Sequence, residues 1–457
     1  MTRIHHRTYQ RRRAQYDRIR HALDGQDAMR ANASLYLRRP KGLTTDEWLQ
    51  YLKGAHFFPV ADTTLRTMLG LAFRKDPKFK VPPRLEPMLQ NASFDGRSME
   101  VLSTDILREI LSVGRCAAVL DFPVTGTTPT STPHLSYFNA ESILDWSMGL
   151  VNGVRRLTYL RLHEDNEDLE DTGYEQHLVM TLEPALTIRR YHVAIGRDGD
   201  AQESQVDEEI IPTVRGGPLF YIPAVIFGPY NLEPDTEKPP MLDLVDVNVA
   251  HWENSANLEH ALWLSAMPTP VITGSLNEDQ RPQAIGPASL WMLPEGTTAF
   301  FLSAPSDAHE SLRRAMQDKE SRMNSLGATM ILSGVRRSEA AETASLRMAN
   351  DTATLQSSIN TMEAGVRTLL TWAADWVQPG EVIVEFNKDL VSTTITPQLV
   401  TALLAAVNAG AMSRESFIEK LRKGEVIDRP VEEEMALIEE EGGEMGVVQQ
   451  LFQNATR

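Results

Sequence analysis

A single cysteine, Cys116, stands in 457 residues, so no disulfide framework can form within this chain. It lies in an apolar, strand-like run, CAAVLDF, and reads as a small buried hydrophobe; a reducing compartment is the expectation. No apolar run approaches the ~18 residues of a membrane-spanning helix, so no membrane contact is expected. The Arg-rich N-terminus has no apolar core of the kind a signal peptide carries. Local catalytic signatures are missing too: G-x-x-x-x-G-K-[ST], G-x-G-x-x-G and G-x-S-x-G do not occur. His309-Glu310 is followed by Ser-Leu-Arg, which leaves the zinc-binding H-E-x-x-H incomplete. Counted from Glu164, the acidic run 164–171 has Leu169 where a calcium loop needs its sixth-position glycine, so it reads as a solvated hairpin loop. His5-His6 falls in a stretch expected to be flexible and reads as a chance pair. No metal, cofactor or catalytic residue is expected, and the chain reads as a non-enzyme.

What is present is the composition of a globular protein, 42% hydrophobic, long enough for two to four compact units. A net charge of −17 argues against indiscriminate binding of nucleic acid over the whole surface. The charge is unevenly placed. Arg3, Arg7, Arg11, Arg12, Arg13, Arg18, Arg20 and Arg30 crowd the start, against Asp17, Asp24 and Asp27. Glu432, Glu433, Glu434, Glu439, Glu440, Glu441 and Glu444 crowd the end.

The strongest pattern runs over 338–378. Small or apolar residues recur at Ala341, Ser345, Met348, Thr352, Leu355, Ile359, Met362, Val366, Leu369, Ala373 and Trp376, in steps of four and three. That spacing puts them on one helix face. Ser338 can cap the start, and Pro379-Gly380 stops it. At about 1.5 Å per residue the rod is roughly 60 Å long, more than one small core covers. Before it comes a polar helix, 306–328, with a narrow apolar row at Ala308, Leu312, Met316, Met323 and Leu326. Its other faces are charged, and Glu310/Arg314 and Asp318/Arg322 are spaced for ion pairs. Between the two lies 329–337, with Gly334 free to take positive φ and with Arg336 and Arg337 just before a helix N-terminus. Cations are disfavoured there by roughly 0.3–1 kcal/mol each, which leaves two readings: a solvated turn, or a loop facing an anion.

Elsewhere, 60–74 and 97–114 read as amphipathic helices, and 134–228 turns to the period-two pattern of antiparallel strands. Within it 155–163 alternates, with Leu157, Tyr159 and Arg161 on one face and Thr158, Leu160 and Leu162 on the other. Pro239-Pro240 opens a helix over 241–266, followed by the strand-like PVITG and SLWMLPEGTTAFFL. A strand at 382–386 and short helices at 397–408, 413–423 and 431–441 complete the pass.

Three long stretches resemble a tailed-phage portal protein, of a portal-like family long catalogued only as phage proteins of unknown function. They are WLQYLKGAHFFPVADTTLRTMLGLAFRKDP with SMEVLSTDILREILSVGRCAAVLDFP, then PMLDLVDVNVAHWENSANLEHALWLSAMPTPVITG, then ETASLRMANDTATLQSSINTMEAGV. The resemblance spans most of 35–395. It implies an α+β fold with an α/β wing, a two-helix stem, a small α/β clip, a long wing helix and a helical crown. It implies a homo-oligomeric ring of usually twelve subunits at one capsid vertex of the virion. Double-stranded DNA would pass through its channel. The terminase large subunit, the head–tail adaptor and the major capsid protein would be its partners.

Carried onto this chain, the resemblance gives a basic flexible arm over 1–34, a wing over 35–240, a stem helix over 241–266 and a clip over 267–305. The second stem helix is 306–328, the tunnel loop 329–337, the long helix with a wing strand 338–396, the crown 397–441 and a flexible tail 442–457. It sets Ser333, Gly334, Val335, Arg336 and Arg337 facing DNA, and Arg313, Arg314, Asp318, Lys319 and Arg322 lining the stem channel. Gly274, Ser275, Leu290 and Trp291 would dock partners on the clip. Two other classes stay open at this point: a head–tail or minor capsid protein without the channel, and an enzyme whose site is assembled from distant residues.

Overall fold

A computed structural model describes the chain apart from residues 1–3, 122–131, 167–168, 170–172, 196–200, 207, 267–268, 276–281, 283–290, 303–306, 331–352, 389, 391–396, 424–425, 428, 439 and 441–457. It divides into two units, Met1–Lys388 and Asp389–Arg457.

The first unit opens with α1 (Arg7–Asp24), α2 (Gln26–Ala31) and α3 (Ala33–Tyr36). The expectation of a flexible arm over 1–34 is overturned from Ile4 onward. The His6 side chain accepts from the Thr8 amide to cap α1, and its ring stacks on Trp146 at 4.0 Å. Tyr9, Tyr16, Ile19 and Ala22 form a buried stripe. Arg7, Arg11 and Arg13 take the exposed side. Arg20 bonds two carboxylates, Glu109 and Glu141, which ties α1 to distant parts of the chain.

Next come α4 (Thr45–Gly54), α5 (Val60–Ala72), β1 (Lys78–Lys80), α6 (Glu86–Gln90) and α7 (Met99–Ser112). Thr44 and Glu47 form a reciprocal capping box at the head of α4. Ser98 caps α7, whose apolar row buries Met99, Leu102, Ile106 and Ile110.

Two sheets follow. The smaller has the order β11 (Ala224–Phe227), β2 (Cys116–Asp121), β3 (His134–Phe138), all antiparallel. Cys116 is buried in it, as its apolar run predicts. The larger is a five-stranded meander: β4 (Ile143–Val151), β5 (Val154–Glu164), β6 (Tyr174–Leu182), β7 (Leu186–Ile195) and β8 (Ala201–Gln205). A small ribbon, β9 (Thr213–Val214) with β10 (Gly217–Pro218), lies between β8 and β11 in the chain.

The alternation expected along β5 does not hold, for a local reason. Ser147 pairs with Tyr159 and Met148 with Leu157, so Thr158 is an extra residue that shifts the register. Leu157, Leu160 and Leu162 therefore all join one apolar cluster with Trp146, Leu178 and Met180.

After the helical hairpin described below, α10 (Ala353–Val377) carries the long apolar stripe, and β14 (Ile383–Glu385) pairs with β1. Leu355, Ile359, Met362, Val366, Leu369 and Ala373 of that stripe are all buried. Gly365 brings α10 onto β11: a Cβ there would overlap the Phe227 ring. Glu363, buried on α10, accepts from Arg367 at 2.8 Å, Lys388 at 3.0 Å and the Phe386 amide at 3.2 Å. The part of the stripe from Ala341 to Thr352 lies outside the described residues.

The second unit is helical where described. It has α11 (Pro397–Asn408) and α12 (Arg414–Lys423), with Leu403, Ile418 and Leu421 buried, and helical backbone over 431–438.

Candidate functional site

The site is built on a pair of long helices. Pro239-Pro240 leads into α8 (Leu242–Ala266), and Pro240 packs on Gly114, whose φ of +82° and 3.1 Å clearance leave no room for a side chain. The first part of α8 buries Leu242, Leu244, Val245, His251, Trp252 and Ala256. Its last turns come free of the body, leaving Trp263 and Leu264 half exposed. The chain continues through β12 (Thr269–Thr273), returns through β13 (Thr298–Leu302), and re-enters along α9 (Asp307–Met330). The two strands pair antiparallel from Thr269↔Leu302 to Thr273↔Thr298.

Two contacts set the helices antiparallel. The Ser265 hydroxyl lies 3.0 Å from His309 Nε2, and His251 Nε2 lies 3.2 Å from Glu320 Oε1. Facing α8, α9 buries Met323 and Gly327 and half-buries Leu312, Met316 and Leu326; most of the remaining helix is exposed. At its inner end Gly327 lies against Thr64 of α5.

On this hairpin Arg313, Arg314, Asp318 and Arg322 are exposed and Lys319 is half-buried. The Glu310/Arg314 pair forms, at 3.2 Å. The expected Asp318/Arg322 pair is absent from the ion pairs of the described residues; both side chains face water, where such a pair gains little. Gly274 ends β12 at φ +124°, with Thr297 too close to admit a Cβ, and Ser275 follows it, exposed. Trp291 lies 6.4 Å from the Phe301 ring, so it packs on the ribbon with Gly274. Leu290 and the loop residues Ser333, Gly334, Val335, Arg336 and Arg337 lie outside the described residues. The structure thus gathers the stem candidates and, of the clip candidates, Gly274, Ser275 and Trp291 on one hairpin.

Behind α8, a cavity of about 310 Å³ opens against α4, lined by Glu47, Tyr51, Lys53, Glu259, His260 and Trp263. Trp48, Tyr51, His260 and Trp263 form a chain of ring contacts along it, at 5.4, 5.5 and 6.2 Å. Burial raises the Tyr51 phenol to about 12, and its hydroxyl donates to Asn257 at 2.8 Å.

Two buried polar clusters have no local sequence signature. Arg161 Nε donates to His177 Nδ1 at 3.0 Å, and Arg161 pairs with Glu203 at 2.9 Å. That bond fixes the His177 proton on Nε2, 3.2 Å from Glu175. Burial lowers the His177 pKa, against the opposing pull of Glu175. His5, also lowered by burial, faces the same group. In the other cluster Arg115 stacks on Trp146 at 3.8 Å, with the Tyr16 side chain beside it. Burial lowers Arg115 to about 10. Arg161 finds its partners on β6 and β8, and Trp146 finds His6 and Arg115 outside the strands, so only the tertiary fold brings them together. Among the described residues no group of three His, Cys, Asp or Glu could hold a metal ion, and no helix is long and apolar enough to cross a membrane.

Residues 240–377 match the family model described as "Domain of unknown function (DUF4055)". The match spans α8, β12, β13, α9 and α10, and with them two of the three stretches that carry the portal resemblance. No curated protein matches the chain. Among solved structures it is similar to a chain in the neck of an empty GTA particle computed with C6 symmetry, at 13% identity and a TM-score of 0.42, covering 86% of this chain and 96% of that one. A second, in the neck of a native GTA particle computed with C12 symmetry, is 14% identical with a TM-score of 0.41, covering 86% and 98%.

Proposed function

We propose that this chain is a phage portal protein, a subunit of a ring at one capsid vertex through which double-stranded DNA is packaged and later ejected. The observation that carries the reading is the α8–ribbon–α9 hairpin. One of its helices, α9, is apolar only along the row that meets α8, and the hairpin ends in a two-stranded ribbon with apolar side chains exposed. A stem helix beside hydrated DNA needs water-compatible faces, and a negative chain overall keeps a polyanion from sticking.

In this reading 35–240 with 338–396 is the wing, 241–266 and 306–328 the stem, 267–305 the clip, 329–337 the tunnel loop and 397–441 the crown. The α9 charges Arg313, Arg314, Asp318, Lys319 and Arg322 face the channel or the adjoining subunits. Arg336 and Arg337 touch phosphate as DNA passes, a contact without base information. The ribbon, with Gly274, Ser275, Leu290 and Trp291, meets the terminase large subunit and later the head–tail adaptor; the wing meets the major capsid protein. The part is structural and needs no cofactor. Mass photometry of the purified full-length chain tests the ring: a single high-mass species of about twelve subunits is expected, whereas monomer or dimer alone under capsid-like conditions overturns it.

A further inference from the structure

We propose that neighbouring subunits join by seating Phe94 of one copy in the cavity along the open edge of β11 on the next. The proposal rests on the ring reading above and names its contact.

The anchor stands on a braced turn between α6 and α7. Phe94 is 88% exposed, and no large hydrophobic side chain among the described residues is more so. Its backbone is tied down on both sides. The Gly96 amide donates to the Ser93 carbonyl at 3.0 Å, and the Ala92 amide to the Arg97 carbonyl at 2.7 Å. Gly96 takes φ +84°, a value that glycine alone adopts freely. Arg97 then clamps the turn, donating to Asp95 at 2.6 Å and to Asp105 of α7 at 2.9 Å. A ring already held out on a fixed turn loses little freedom when a partner covers it.

The seat is a cavity of about 550 Å³ beside β11. Ala224, Val225 and Ile226 all line it. Successive strand residues face opposite sides of a sheet, so a cavity touching three in a row reaches around the strand's edge. Among the described residues β11 pairs only with β2, which leaves that edge open. Thr368 and Trp372 of α10 close the cavity on one side, and Leu157 of β5 on the other. Trp372 and Tyr221, with ring centroids 5.0 Å apart, give it an aromatic wall that suits a phenyl ring.

Anchor and seat lie on opposite edges of one sheet. Ser93 bridges Leu135 of β3, and the Leu135 amide donates to the Ala92 carbonyl at 2.7 Å, so the turn extends the sheet beyond β3. The order is cavity, β11, β2, β3, turn, with neighbouring strands roughly 4.8 Å apart. One chain cannot fill its own cavity. A copy that inserts Phe94 into a second turns its own cavity towards a third. Such a contact is head-to-tail, the kind that closes a ring and not a two-fold dimer.

The charges agree with this seating. Beside Phe94 the exposed acids are Asp95 and Glu100. On the cavity rim Arg156 is exposed and makes no ion pair among the described residues. Arg155 next to it meets Glu233 at 3.7 Å, which leaves Asp375, on the α10 side, as the other acid of the lining. The acids of the turn therefore fit the β5 side of the rim, where both arginines stand.

The contact is tested in the full-length chain. Phe94→Ala removes an exposed ring, so its thermal melt should match the wild type while ring formation by mass photometry weakens at least tenfold. If Phe94→Ala forms rings as the wild type does, the contact lies elsewhere and the ring reading stands. If the wild type forms no ring, the ring reading itself falls, and this contact with it. Cross-linking locates the seat independently. Cys116 is buried, so introduced thiols are the ones that react. A chain carrying Phe94→Cys and Thr368→Cys, treated with a short bis-maleimide, should give a ladder of covalent oligomers. An equimolar mixture of the two single variants should stop at a covalent dimer. Monomer alone from the double variant, or a dimer with no higher rungs, overturns the proposal.

Discussion

Arg20 ties the first of the N-terminal helices to two distant carboxylates. It lies on α1 and bonds Glu109, whose side chain is 5% exposed, and Glu141 at 2.8 Å. Replacing it with alanine leaves the Glu109 carboxylate buried without its cation, which costs about 3 kcal/mol. Arg20→Ala should lower the urea midpoint accordingly; a midpoint within error of the wild type would show α1 to be loosely held. The histidines give a pH dependence. His5 and His177 have folded pKa values below the unfolded 6.5, so the unfolded chain binds more protons as pH falls. Their contribution is complete above pH 6.5 and is lost progressively below it. Melting temperature should be flat from pH 8 to 7 and fall from pH 6.5 to 5, with a shallower fall in His177→Gln; equal slopes would remove His177 from the cause. None of these roles was readable from the sequence. The Arg-rich start suggested a solvated arm because its charges dominate the composition, yet Tyr9, Tyr16, Ile19 and Ala22 already mark a buried stripe at helical spacing.

At the scale of elements the sequence was more legible. The helix over α7 followed from an apolar row, and the α10 stripe from steps of four and three, because both signals are local. The alternation of β5 was not, since an inserted residue at Thr158 is defined only by its pairing with β4. The stem candidates were legible as a polar helix with a narrow apolar row, but the packing of α4 on α8 came only from the structure. Close approach is also invisible in sequence, and two glycines separate it from propensity. Gly365→Ala forces a methyl into the Phe227 ring and should destabilise by roughly 1–3 kcal/mol. Gly70→Ala on α5, with nothing within 4 Å, should stabilise by up to about 1 kcal/mol. If chemical denaturation shows the two changes moving stability the same way, the packing of α10 on β11 is misjudged.

At the scale of the molecule, one long helix packs onto β11 and α7 while a second pair leaves the body to end in an exposed ribbon. The ring reading explains both, because the hairpin gains its missing neighbours from other copies. It gives the basic turn a role that separates from assembly. Arg336→Ala with Arg337→Ala should leave rings intact and lower packaged DNA or its retention, read as the DNA content of purified particles. Soluble chains that no longer assemble would make the pair structural, and unchanged packaging and retention would leave the loop a solvated turn. Electron cryomicroscopy of the assembled full-length chain measures the ring and its lining at once. The expected image is a closed ring with an open central channel, the α8–α9 hairpins standing around it and the charged side of α9 turned to the lumen and to the next subunit. A closed particle without a channel, or a ring with the hairpins splayed to its outer edge, would contradict it.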